Sequence, residues 1–199
     1  VGEIIAAGVV PAALEMMDAE ITRAVETYAG AGYPIDAAAV LLVEVDGLPG
    51  GVAHEAHVVE QIGRRNGARS VRVAADEQER ALLWKGRKTA FGAVAQVKPN
   101  YYLHDTVIPR TKLVEVLEQV YAIAKRHDLL VMNVFHAGDG NLHPLLVYDA
   151  REPGVLERVH AAGAEIVEAS LAAGGVLSGE HGIGLEKRKF MARQFSPDD

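Results

Sequence analysis

Two hydrophobic periods run through the chain, and each predicts a different kind of element. Apolar Leu113, Val116, Leu117, Val120 and Ile123 recur at the spacing of one helical face, so TKLVEVLEQVYAIAKRHDL predicts a long amphipathic helix. The opening reads as helices broken at Pro11, EIIAAG and then AALEMMDAEITRAVETYAGAGY, with Met16 and Met17 as core packing and Gly30 and Gly32 ending the second. AAVLLVEVDG, 38–47, is nearly continuous in its apolar character, which predicts a central strand. Gly50 and Gly51 open a helix to about Asn66, on which His54 and His57 lie on a solvated face. SVRVAA, 70–75, predicts a short strand, and Asp76 caps a helix over DEQERALLWKGRKTAFGAV. YYLHDTVIPR, 101–110, predicts a strand that Pro109 ends. LLVMNVF and LLVYD predict the two arms of a hairpin around a Gly-rich turn. Pro153 then opens the helix VLERVHAAGAEIVEASLAAGG, VLSGEHGIG predicts a short strand and turn, and LEKRKFMARQF a last helix.

This order implies an α+β, ferredoxin-like fold: duplicated β-α-β halves forming a mostly antiparallel sheet with helices on one face. A parallel doubly wound sheet is disfavoured, because the hairpin at 136–143 joins neighbouring strands without a crossover helix. At 199 residues and 49% hydrophobic, the chain is long enough for one domain with a sizeable core. It opens on an amphipathic segment without an initiator Met and stops in what reads as a loop, so residues 1–199 are expected to be one domain of a longer protein.

Charge and composition narrow the chemistry. A net charge of -7 and scattered basic residues argue against a nucleic-acid partner. There is no cysteine, so any metal must be held by nitrogen and oxygen ligands. No apolar run approaches the roughly 20 residues of a membrane span, and the start lacks a signal-peptide pattern. A cytoplasmic protein is expected, with any membrane association made through partners.

Candidate chemistry concentrates in HAGDGNLHP, 136–144, and SGEHGIG, 178–184. The hairpin can set His136 and His143 across from each other on one face, and Glu180 can supply a carboxylate to complete a site. Two His and one Glu with positions left open describe a catalytic metal site rather than a structural one, for a divalent ion such as Zn, Mn or Fe. Taken singly, His136 also fits a satisfied core histidine at a strand end, and Glu180 a helix-cap carboxylate. Trp84 lies one helical turn before Arg87 and Lys88. Those cations fit either compensation of the helix dipole or an anion clamp, for which the planar fork of Arg suits a carboxylate. No Gly-x-Gly-x-x-Gly or Walker sequence is present, so most of any nucleotide site would lie outside these residues.

The segments PAALEMMD, LWKGRKTAF, PNYYLHDTVIPR, HAGDGNLHP and SGEHGIGLEKRKF together resemble the C-terminal domain of FAD-linked oxidases of the vanillyl-alcohol-oxidase superfamily. The likeness is greatest to the branch acting on 2-hydroxy acids, the glycolate oxidase flavin subunits and D-lactate dehydrogenases. The resemblance implies that His136, His143 and Glu180 hold a divalent metal, that His181 is the catalytic base, and that Arg87 binds the substrate carboxylate. It places Asn141 and Glu180 near the flavin. It also implies an FAD bound mainly by a separate N-terminal domain, iron-sulfur partner subunits, and a small 2-hydroxy acid oxidised to the 2-oxo acid. Relatives acting on longer diacids carry Lys where this sequence has Leu103, which implies a small monocarboxylate such as glycolate or lactate. Two other readings of the same residues are a metal-binding module without redox activity of its own and a metal-dependent hydrolase using a bound water.

Overall fold

The helical reading of the opening fails first at Ala13, and the failure places the rest of the sheet. In the computed structural model, which describes residues 1–199, Gly2–Ala6 is a short helix (α1) and Ala13–Asp18 a strand (β1). Ala, Leu, Glu and Met are good helix formers, so local preference favours a helix here. The strand prevails because it is paired on both sides and most of its residues are buried, a tertiary gain larger than the propensity. Asp18 then accepts a hydrogen bond from the Ile21 N–H at 3.0 Å and starts Ala19–Ala29 (α2).

Ala39–Glu44 (β2) is a strand, but it pairs only with β1 and so forms an edge of the sheet rather than its centre. Its apolar run reflects cover on both faces: Val40 and Leu42 pack into one core, Val43 into the other. Pro49–Arg65 (α3), Glu77–Lys88 (α4) and Ala90–Val97 (α5) follow. Asp76 caps α4 through the Glu79 N–H at 2.8 Å. The one helix expected there is divided at Thr89, whose hydroxyl donates back to the Lys85 carbonyl at 2.9 Å. Residues 70–75 form no strand. Arg72 is drawn to Glu79 and to the Ala31 carbonyl, and the stretch pairs with no strand of the sheet.

The strand expected over 101–110 is two short ones, Asn100–Leu103 (β3) and Thr106–Val107 (β4), interrupted at His104 and Asp105. Leu113–Arg126 (α6) presents its predicted apolar face to the core. The hairpin is made by Leu130–His136 (β5), Asn141–Leu142 (β6) and Pro144–Tyr148 (β7), so its second arm is interrupted as well, at His143. Val155–Ala172 (α7) and Met191–Gln194 (α8) complete the chain. Between them VLSGEHGIG contributes a single bridge, Val107 to Val176, and not a strand, and the expected last helix shrinks to a 3-10 turn and α8.

Every strand pairing is antiparallel. The sheet runs β2, β1, β5, then β6 and β7 end to end, then β4 and β3 end to end. The α+β class with an antiparallel sheet is the one the pattern implied. The helices, expected on one face, cover both. Alternate residues of β5 point to opposite sides: Val131 and Phe135 pack with α1, α3, α6 and α7, while Met132 and Val134 pack with α2 and α5. β1 and β2, although joined through α2, are antiparallel neighbours, so this β-α-β unit is not a crossover. The two strand interruptions are adjacent, with the His104 N–H donating to the Pro144 carbonyl at 3.0 Å. No helix is long and apolar enough to cross a membrane.

Candidate metal centre

The hairpin turn is shaped by Gly140, whose φ of 70° and tight seat exclude other residues: a Cβ there would stand 2.1 Å from the Ile108 carbonyl oxygen. The turn leaves His136 at the end of β5, opposite Asn141, and His143 in the gap between β6 and β7. The two imidazoles meet edge to face, with ring centroids 5.2 Å apart. The turn after α7 brings up Glu180 and His181, and the His181 ring stacks on His143 at 5.1 Å.

The structure thus brings His136, His143 and Glu180 together. Glu180 Oε1 lies 2.9 Å from His143 Nε2 and 3.5 Å from His136 Nε2. Ligands bound at about 2.0–2.2 Å around one cation stand roughly 3.0–3.5 Å from each other, so these separations are those of a chelating set. The tautomers agree. The Glu15 carboxylate at 2.7 Å accepts from His136 Nδ1–H, and the His104 carbonyl at 3.2 Å accepts from His143 Nδ1–H. In their neutral forms both rings therefore turn a lone pair toward a carboxylate oxygen, an arrangement that a cation stabilises. Burial, and His136 beside it, hold His143 below the ordinary imidazole range. The donor set fits a divalent ion such as zinc.

Glu15 is a site residue the sequence reading did not identify. It is buried on β1, and its second oxygen receives the Nε of Arg87 at 3.1 Å and lies 3.0 Å from Nη2. A carboxylate set between apolar residues in ALEMM, 13–17, was the available signal, since a buried charge needs a partner. Arg87, expected as a clamp for a substrate carboxylate, is here engaged with a carboxylate of its own chain. It is joined to the cluster of His136, His143 and Glu180 through Glu15.

Asp105 and Asn141 frame the Glu180 turn. The Asp105 carboxylate accepts from the Ser178 hydroxyl and from the backbone of Gly179, Glu180 and His181. Burial alone would raise its pKa. The Ser178 hydroxyl, the His181 N–H, the Lys187 ammonium and the Gly179 N–H outweigh it and hold the carboxyl well below the usual range. Asp105 also lies near His143 and His181, but its oxygens are already committed to the turn. Asn141 packs against Gly179, where a Cβ would come within 2.3 Å of its Nδ2, so only glycine fits. The Asn141 Oδ1 is buried without a partner. His104 is buried beneath, its Nε2 likewise unpaired, and burial together with Lys187 pushes its pKa down to about 4. His54 and His57 stay exposed on α3, away from any third ligand.

Residues 1–199 match the family described as FAD linked oxidases, C-terminal domain. The chain is similar to the glycolate oxidase subunit GlcD of Escherichia coli (strain K12), 49% identical over 199 residues, 100% of this chain and 40% of that protein. The GlcD of Bacillus subtilis (strain 168) is 38% identical over 191 residues, 96% of this chain and 41% of that protein. A probable mitochondrial D-lactate dehydrogenase of Danio rerio is 30% identical over 197 residues, 98% of this chain and 39% of that protein. The chain thus spans about 40% of the length of these relatives. Among solved structures, the 4-ethylphenol oxidase from Gulosibacter chungangensis in its isoeugenol complex shares the fold, with a TM-score of 0.55 over 83% of this chain and 38% of that one at 15% identity. With a match that runs from the first residue to the last, the chain belongs to the C-terminal domain family of FAD linked oxidases.

Proposed function

We propose that the chain is the substrate- and metal-binding domain of a flavin-dependent 2-hydroxy-acid oxidoreductase. The observation that carries this reading is the convergence of His136 Nε2, His143 Nε2 and Glu180 Oε1, with both opposite ring nitrogens already bonded elsewhere. The names of the relatives, glycolate oxidase subunit and D-lactate dehydrogenase, point to glycolate or D-lactate as substrate. That GlcD is a subunit points to further protein partners, for which iron-sulfur subunits are our reading.

His136, His143 and Glu180 would hold the ion and leave positions open for a substrate. A divalent ion held there would supply Lewis acidity toward the hydroxyl of a 2-hydroxy acid. His181, half exposed beside the set, would take the hydroxyl proton on its imidazole. The part of the Arg87 guanidinium not engaged by Glu15 would face the carboxylate and fix the direction of the alpha C–H bond. FAD would be held mainly by the rest of the longer protein, with Asn141 and Glu180 as this chain's residues toward it, and would supply the two-electron acceptor.

Elemental analysis of the purified chain tests the metal set. About one equivalent of a divalent metal is expected, lost in folded His136→Ala and Glu180→Ala. A folded wild-type chain that takes up no added zinc counts against the site. In the full-length flavoprotein, His181→Asn is expected to lower kcat for glycolate or D-lactate by about 10²–10⁴-fold, the usual contribution of a general base. Unchanged turnover would rule the base role out.

A further inference from the structure

Asp105 does for the Glu180 turn what Glu15 does for His136, but through the backbone. Ser178 Oγ donates to its carboxylate at 2.7 Å, and the N–H groups of Gly179, Glu180 and His181 reach it at 3.1, 3.2 and 2.9 Å. Three successive amides aimed at one anion form a nest, the concavity that elsewhere binds phosphate or carboxylate ligands. Here the anion is part of the chain. Ser178 Oγ also accepts from the Gly182 N–H at 2.7 Å, which closes the turn on itself. From the opposite side Lys187 Nζ donates to the Asp105 carbonyl and stands 3.7 Å from its carboxylate.

This arrangement depends on the break between β3 and β4. At that break the His104 carbonyl is free to receive His143 Nδ1–H, and the Asp105 side chain, 1% exposed, is directed into the turn. One two-residue interruption thereby contacts three of the five residues proposed for the chemistry: His143 through its ring, and Glu180 and His181 through their backbone N–H groups.

We propose that Asp105 is the positioning residue of this site: its carboxylate fixes the Ser178–Gly182 turn so that Glu180 and His181 face His136 and His143. It is not a metal ligand. The purpose of this positioning rests on the metal-centre reading above, but the turn can be tested without it.

Amide hydrogen exchange of the full chain reads the turn directly. The amides of Gly179, Glu180 and His181 are expected to be protected in the wild type. In Asp105→Asn, which keeps the shape but loses the charge, they should exchange about tenfold faster or more, while the amides of β5 hold their rates. Ser178→Ala, which removes one donor and leaves the carboxylate, should accelerate them less, and carries the same comparison if Asp105→Asn does not fold. Zinc affinity, measured by chelator competition, gives the second readout. Asp105→Asn should weaken it about 10–100-fold in the wild-type background and by less in Glu180→Gln, which lowers the affinity without abolishing it, because Asp105 acts through the turn that carries Glu180. Turn amides that exchange equally fast with and without Asp105, or the same zinc loss in both backgrounds, would overturn the proposal. A wild-type chain that binds no zinc removes the metal reading instead, and the exchange comparison then decides the role of Asp105 by itself.

Discussion

Arg87 and Glu15 form an ion pair drawn almost wholly out of solvent, Nη2 to Oε2 at 3.0 Å with side chains 14% and 9% exposed. Removing one member of such a pair leaves the other charge buried and costs on the order of 3–5 kcal/mol. The pair also orients a ring, since the other oxygen of Glu15 holds His136 Nδ1 at 2.7 Å.

Glu15→Gln keeps an acceptor for His136 but loses the charge that pairs with Arg87. Zinc affinity is expected to fall about 10–100-fold, the usual effect of removing an outer partner of a metal-bound histidine, as read by chelator competition. An affinity equal to wild type would show that His136 does not depend on Glu15 for its orientation.

How much of this was visible in the sequence follows from the distance over which each signal acts. The hairpin and the Gly-Glu-His turn announce themselves locally, because glycines concentrate where a chain reverses, and the structure brings their His136, His143 and Glu180 together. Glu15 was hidden inside residues that locally prefer helix, and only pairing with β2 and β5 makes that stretch a strand. The role of Asp105 is set by a turn that begins 73 residues later, at Ser178, and no local pattern carries that information. SVRVAA shows the converse error: strand-forming residues that pair with no strand remain irregular.

Gly179→Ala would push a Cβ to 2.3 Å from Asn141 Nδ2 and 2.8 Å from Val107 Cγ2. The turn should shift away from the hairpin and weaken zinc binding, while global stability falls by about 1–3 kcal/mol, the range for overpacking. Calorimetry and metal titration on the same sample separate the two effects, and wild-type values in both would contradict the packing.

The same substitution should have opposite signs on two helices. At Gly163 in α7 an added Cβ meets His104 Nε2 at 2.7 Å, so Gly163→Ala is expected to destabilise by about 1–3 kcal/mol. At Gly63 in α3 it meets Val71 Cγ2 at 3.6 Å and Ala68 Cβ at 3.8 Å, both ordinary contacts, and Gly63→Ala should stabilise by about 0.5–1 kcal/mol. Urea unfolding of the two variants checks the pair of signs.

Tyr33 makes alkaline unfolding predictable. Burial, with the Glu26 carboxylate nearby, pushes its phenol up to about 12, and its hydroxyl donates to the Leu83 carbonyl. A folded pKa above the unfolded value near 10 means that its contribution is complete below pH 10 and is lost as the pH rises through about 12. Tyr33→Phe should be less stable at neutral pH by about 1 kcal/mol and show a shallower decline above pH 10 in urea titrations. A decline as steep as wild type would assign it to other groups.

His136 reaches back 121 residues to Glu15, and His181 reaches back 76 to Asp105. Closing loops of that length costs chain entropy that no short segment can offset alone, so a peptide cut from the hairpin should have none of the cation affinity of the domain. The reverse also follows. An ion held by His136, His143 and Glu180 would act as a staple between the central hairpin and the last turn, and adding a chelator should lower the melting temperature of the whole sheet rather than loosen one loop.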